Sequence, residues 1–288
     1  MFNQLLLNGI IAGSIYALIA LGFAVIYKTV RFFHFSHGIV YTAGAYVAYS
    51  LSRSLGLHPV VSFFLASAVS AVAGIAIDRV VYRPLRKSNA SGLVFLIASF
   101  GVFIFIQNFL QLVYGAQILT LRTGAVKEGH QILGAVITDI QILILIVSCC
   151  LLAALWFIIE RTKIGKAIRA VADDPIGASV CGINAERVIL YAFGIGSALA
   201  GVAGVLVSYE TNIEPTMGMN AILKGMIASI VGGMGSIPGA MLGGFFLGIV
   251  ENFGIWKIQA GWKDTISFAI LIIFLLVRPE GLVGKRRG

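Results

Sequence analysis

Few side chains in this sequence could take part in chemistry, and most of them stand inside apolar runs. His34 and His37, in RFFHFSHG, are three residues apart, so on a helix they could offer two imidazoles to a metal. No carboxylate or thiol is near them in sequence, and Arg31 precedes them. A helix-entry role is the stronger reading, with Ser36 capping a helix that starts at Gly38. GGMGSIPG superficially resembles a phosphate cradle, but it lacks the Lys-Ser/Thr of a nucleotide site, follows no strand and leads into an apolar run. A bend near a translocation path fits it better. Glu251 is the one carboxylate deep in its neighbourhood, and it either lines a conduit or reaches the outer interface beside Lys257 and Lys263. Asn8, Gln107, Asn108, Gln111 and Asn252 are the other polar side chains to watch, since such groups are costly in lipid and often functional. There is no nucleophile elbow, zinc-protease helix or carboxylate pair, so no enzyme site is expected.

The densest polar stretch is different in kind. Between Arg161 and Arg187, RTKIGKAIRAVADDPIGASVCGINAER holds 8 of the chain's 33 charged residues, flanked by long apolar runs. Ile164, Ala167, Ile168 and Val171 recur at helical spacing, with Lys163, Lys166 and Arg169 facing elsewhere. That helix should end before Pro175. Asp174 and Pro175 then open a second turn or helix, with Ala178, Val180 and Cys181 apolar and Gly182 as its C-cap. The segment could lie on lipid headgroups. Its turn signals and its lack of large aromatics favour docking into a groove on a water-soluble partner.

The elements that position these residues are membrane helices. Of the 288 residues 59% are hydrophobic and 11% charged, far below the roughly one quarter charged of soluble domains. Mean hydropathy is +0.97. The net charge of +9 does not indicate nucleic acid, because the basic residues cluster beside hydrophobic ends, as orientation signals do. Cys149, Cys150 and Cys181 offer no disulfide or metal framework. The first apolar run lacks a basic n-region and a cleavage-like site, so it reads as a retained helix. Apolar spans of about the 20 residues a bilayer requires fall near 5–27, 37–55, 59–82, 93–113, 139–160, 188–209 and 264–277. Two shorter apolar pieces occupy 221–254, as two spans or a re-entrant pair. The fold class is therefore an all-α polytopic membrane protein of about eight or nine transmembrane helices, in a single domain over 1–288.

Loops 28–35, 79–92, 161–187 and 278–288 hold 15 of the 21 Lys and Arg, whereas Glu210 to Asn220 has two glutamates and no basic residue. The long polar loop and the C-terminus are thus expected in the cytoplasm. Small residues repeat every fourth position at Gly9, Gly13 and Ala17, at Gly235, Gly239 and Gly243, at Ala240, Gly244 and Gly248, and at Ser197 and Gly201. Such faces let helix backbones approach closely in lipid, or line a conduit. GIIAGSIYALIALG and FGIGSALAGVAGVL hint at an internal repeat.

AIRAVADDPIGASVCGIN resembles the cytoplasmic loop of permease subunits of ABC importers for branched-chain amino acids, the LivH-like family. NGIIAGSIYALIALGFAVIY, HFSHGIVYTAGAY, IVGGMGSIPGAMLGG and KDTISFAILIIFLLVRPEGLVG resemble further motifs of that family in the same order, over essentially the whole chain. His34 stands where the family usually has Asn, and Ser36 where it often has Ala. The resemblance implies a bacterial or archaeal cytoplasmic-membrane importer. Its partners would be a second related permease, two cytoplasmic ATPases that bind the ATP, and an extracytoplasmic solute-binding protein. No cofactor is expected in this chain. Segment 161–187 would be the coupling helix, with Gly165, Ala167, Arg169, Ala170, Asp173, Asp174, Ala178, Gly182 and Ile183 as coupling residues. Arg169 and the two aspartates would supply charge-assisted contacts to the ATPase. Asn8, Tyr16, His37, Glu251 and Asn252 are the candidates for the path. Branched-chain amino acids are the expected cargo, with urea, short amides or other amino acids as alternatives inside the family. An ion-gradient carrier is the competing class, and it leaves the long loop unexplained.

Overall fold

The computed structural model describes residues 1–122, 129–132, 134–256 and 258–283; Lys257 and the basic end of the C-terminal tail lie outside the described residues. The apolar runs form helices α1 (Phe2–Val30), α2 (Ser36–Tyr49) and α3 (Pro59–Ile77); part of the basic segment expected as a loop after α3 is the short helix α4 (Arg83–Lys87), and further apolar runs form α5 (Gly92–Tyr114) and α6 (Asp139–Arg161). The polar interruption forms α7 (Lys163–Asp173) and α8 (Pro175–Val180). After it come α9 (Ala185–Glu210), α10 (Met217–Gly232), α11 (Ile237–Gly254) and α12 (Lys263–Val277). A short antiparallel hairpin, His130–Ile132 against Ala135–Ile137, interrupts the otherwise helical architecture.

Among the described residues, six helices are long and apolar enough to cross a membrane: α1, α3 continued through α4, α5, α6, α9 and α11. Two π turns extend α2 (Ser50–Ser54) and join α3 to α4 (Asp78–Tyr82) without a break. The ambiguous 221–254 region is two separate helices, α10 and α11, and Gly235 between them takes the left-handed conformation (φ 82°) that a side chain disfavours. Side-chain caps fix the entries. Asn184 accepts from the Arg187 amide (3.0 Å) and Ser236 from the Gly239 amide (3.1 Å).

The chain divides into two compact units, one of Met1–Ala24, Arg122–Ala154 and Leu223–Gly288, the other of Val25–Leu121 and Leu155–Ile222. In the first unit two of the small-residue faces meet. A Cβ added at Gly13 would stand 2.8 Å from the Phe245 Cα, and one at Gly9 2.9 Å from the Ile249 Cα. Gly244 and Gly248 press in turn on Ala17 and Gly13. The chain after α12 returns to the end of α10, where the Leu282 and Val283 amides donate to the Val231 (2.8 Å) and Gly232 (3.1 Å) carbonyls.

The second unit is organised around α2, α3 and α9. A Cβ at Gly44 would stand 2.7 Å from the Gly201 Cα, one at Gly204 would run into the Tyr41 carbonyl, and one at Gly74 into Ser197. These glycines are packing faces, as expected where no hydrophobic force draws helices together. An aromatic cluster of Phe32, Tyr82, Phe95 and Phe193 fills one end of this unit. Beside it, the Arg86 guanidinium bridges the buried Asp78 carboxylate (2.6 Å) and Glu186 (3.1 Å).

Candidate functional site

The polar interruption is a two-helix elbow. Thr162 starts α7: its hydroxyl accepts from the Gly165 amide (3.2 Å) and donates to the Ile158 carbonyl (2.6 Å). Gly165, Ile168, Val171 and Ala172 form the buried face. Only glycine fits at 165, because a Cβ there would collide with the Ile158 and Ile159 carbonyls at the end of α6. Asp174 breaks the helix in extended backbone and caps α8 by accepting from the Ile176 amide (2.9 Å). Gly182 closes α8 at φ 83°, and the Ile183 amide returns to the Ala178 carbonyl (3.0 Å).

The residues expected to couple divide by direction. Gly165 and Ala178 are buried, Ala167, Arg169, Ala170 and Ile183 are half-buried, and Asp173, Asp174 and Gly182 are exposed. Arg169 turns inward, donating to the Ile159 carbonyl (2.9 Å) and to Glu160 (2.6 Å), so its charge sits on the C-terminal end of α6. The outer surface carries Ile176, which sequence reasoning does not single out, and Val180, which it names only as apolar. Ile176 is 77% and Val180 85% exposed. Ile164, expected on the apolar face, is also exposed, at 41%.

A second polar constellation lies in the first unit. Glu251, fully buried near the end of α11, pairs with Lys224 of α10, and Ser267 of α12 donates to the same carboxylate oxygen. Tyr16 donates to the other oxygen (2.9 Å). Lys224 also reaches Ser267 (2.7 Å) and the exposed Asp264 (2.9 Å) at the start of α12. Of the expected path residues, Tyr16 and Glu251 are thus brought together. Asn252 donates to the Gly248 carbonyl one turn back (2.9 Å), and Asn8 accepts from Gln4 (3.0 Å). His37 belongs to the second unit. Lys224 is legible as a lone cation in an apolar run, but a search for paired carboxylates passes over a partner of opposite sign.

The histidine segment differs from expectation at Ser36. It is the first residue of α2 and not its cap; the preceding Phe35 makes no side-chain cap. Its hydroxyl lies 2.8 Å from the Tyr82 hydroxyl and donates to the Ser99 carbonyl (2.8 Å), while its amide donates to the Ser99 hydroxyl (3.1 Å). The His34 ring contacts the same Tyr82 hydroxyl through Nδ1 (3.0 Å). Burial, reinforced by His37, holds His34 well below the usual imidazole range, so the ring is neutral near pH 7.

Residues 5–275 match the family described as the branched-chain amino acid transport system / permease component. The chain is 40% identical to the high-affinity branched-chain amino acid transport system permease protein LivH of Escherichia coli, covering 99% of this chain and 96% of that one. It is also 40% identical, over the same shares, to the permease protein BraD of Pseudomonas aeruginosa. Among solved structures, PsaBC from Streptococcus pneumoniae in complex with Fab has a similar fold, with a TM-score of 0.50 over 97% of this chain and 92% of that one at 13% identity.

Proposed function

Because the chain belongs to the family of branched-chain amino acid transport permease components, we propose that it is the membrane-spanning subunit of an ATP-driven importer for leucine, isoleucine and valine in the cytoplasmic membrane. ATP is bound by two separate cytoplasmic ATPases, a second related permease completes the membrane part, and an extracytoplasmic binding protein delivers the amino acid. Nine helices among those described act as crossings: the six long ones together with α2, α10 and α12. The elbow and the chain after α12 then face the cytoplasm, in keeping with their Lys and Arg content. Closure of the ATPases on ATP moves the elbow, and rigid-body rocking of the permeases switches access to a central path.

The observation that carries this reading is the elbow itself. Its inner face is clasped by buried side chains and two caps, while Ile176, Val180 and Asp173 stand out in water. A rigid knuckle with an apolar tip and an adjacent carboxylate suits a groove on a soluble protein. The test is leucine uptake into vesicles that hold the full set of subunits and ATP. Ile176→Asp with Asp173→Lys should leave membrane insertion intact and abolish ATP-driven uptake. Asp174 is left alone, because it also caps α8. Unchanged uptake in this double variant would remove the elbow from the ATPase interface.

A further inference from the structure

We propose that Arg31 is a positioning residue of the transport cycle, the tether through which movement of the elbow reaches the junction of α1 and α2. The inference rests on the coupling role proposed for α7 and α8. Arg31 directly succeeds the last residue of α1, and its amide still closes the final turn by donating to the Tyr27 carbonyl (2.8 Å). Its backbone then turns left-handed (φ 54°), a conformation that residues with side chains avoid unless their surroundings impose it. The turn sends the guanidinium to the far end of α7, where Nη2 donates to the Ala172 carbonyl (2.6 Å) and approaches the Asp173 carbonyl (3.5 Å). Both carbonyls belong to the last turn of α7, which has no further turn to bond them. A cation at this negative helix end is favourable, so the contact is charge-assisted although it uses no carboxylate.

The residues between Arg31 and α2 are anchored just as firmly. Phe32 stacks on Phe95 of α5 (ring centroids 4.9 Å apart) and packs against Tyr82 (5.0 Å). His34 meets the Tyr82 hydroxyl, and Ser36, at the start of α2, is bonded twice to Ser99 of α5. The link between α1 and α2 is therefore held to the body of the unit on one side and to the elbow, through Arg31, on the other. Arg169 makes the corresponding tether to the end of α6. Among the described residues, Arg31 and Arg169 are thus guanidinium attachments between the elbow and neighbouring helices, and Arg31 is the one that leads to α1 and α2.

The experiment uses the complete importer in proteoliposomes, with leucine uptake and ATP hydrolysis measured on the same sample for wild type, Arg31→Ala and Arg31→Lys. In Arg31→Ala, ATP hydrolysis should persist while the ATP spent per leucine rises about tenfold, the scale of a lost coupling between linked elements. Arg31→Lys, which keeps one charged donor, should fall between the two. A wild-type ratio in Arg31→Ala overturns the proposal. So does a proportional loss of both activities in an assembled complex, which would mark a merely structural role. If Arg31→Ala fails to assemble, Arg31→Lys decides by the same ratio, and a wild-type value there overturns the tether. Absence of ATP-driven uptake in the wild-type complex would instead defeat the importer reading, leaving the two failures distinguishable.

Discussion

Lys224 and Glu251 hold each other inside apolar helices, and that mutual dependence makes their substitution non-additive. Removing Lys224 leaves the buried Glu251 carboxylate without its cation, which costs about 3–5 kcal/mol, whereas removing Glu251 leaves Lys224 its second partner, Asp264; replacing both members of the pair with apolar side chains of similar volume is often close to neutral. Lys224→Ala should therefore lower the thermal unfolding midpoint in detergent more than the pair Lys224→Met with Glu251→Leu. A double variant less stable than either single one would contradict this. His34 confers a pH dependence. Above its ordinary pKa of about 6.5 both folded and unfolded chains carry a neutral ring, and the stability is complete. As pH falls below that value the unfolded chain takes up a proton that the buried ring refuses, so stability declines. Melting midpoints should drop from neutral to mildly acidic pH in the wild type and drop less in His34→Asn; equal slopes would reject the assignment. Glu251 is visible in the sequence because a carboxylate is conspicuous in an apolar run. Tyr16 is legible there only as a path candidate and Ser267 not at all, and their convergence on this carboxylate, from α1 and α12, has no sequence signature.

At the scale of elements, glycines that look alike in the sequence have opposite roles. Gly204 of α9 faces the Tyr41 carbonyl of α2 with no room for a methyl group, whereas a Cβ at Gly101 of α5 would meet nothing. Gly204→Val should destabilise the protein by about 1–3 kcal/mol, as overpacking does. Gly101→Ala should be neutral or raise the melting midpoint, because alanine is about 1 kcal/mol the better helix former. Equal melting midpoints for the two variants would sink the distinction. Helix limits are legible to within a few residues, because lipid demands long apolar runs and Pro59, Pro175 and the Gly-rich turn mark the breaks. The π turns are not legible, since Ser50–Ser54 and Asp78–Tyr82 carry no residue that ends a helix. The inward turn of Arg169 is equally hidden: its partner is the backbone carbonyl of Ile159, and a backbone acceptor has no signature in a sequence.

For the whole molecule, the proposed topology makes the exposed Cys181 a built-in reporter of sidedness. In a background with Cys149 and Cys150 replaced by alanine, a membrane-impermeant maleimide should label inside-out vesicles and spare right-side-out ones. Assembly with the ATPases should slow that labelling. Reaction from the outer face would reverse the orientation assigned to the elbow. The exposure of Ile176 and Val180 has a further consequence for the cell. In the proposed assembly, copies synthesised in excess of their partners would display a bare greasy knuckle to the cytosol, the kind of exposed apolar surface that marks an unfilled interaction site or an aggregation liability. Under the proposed assembly, balanced production of the subunits would be a requirement that the shape of one short helix imposes.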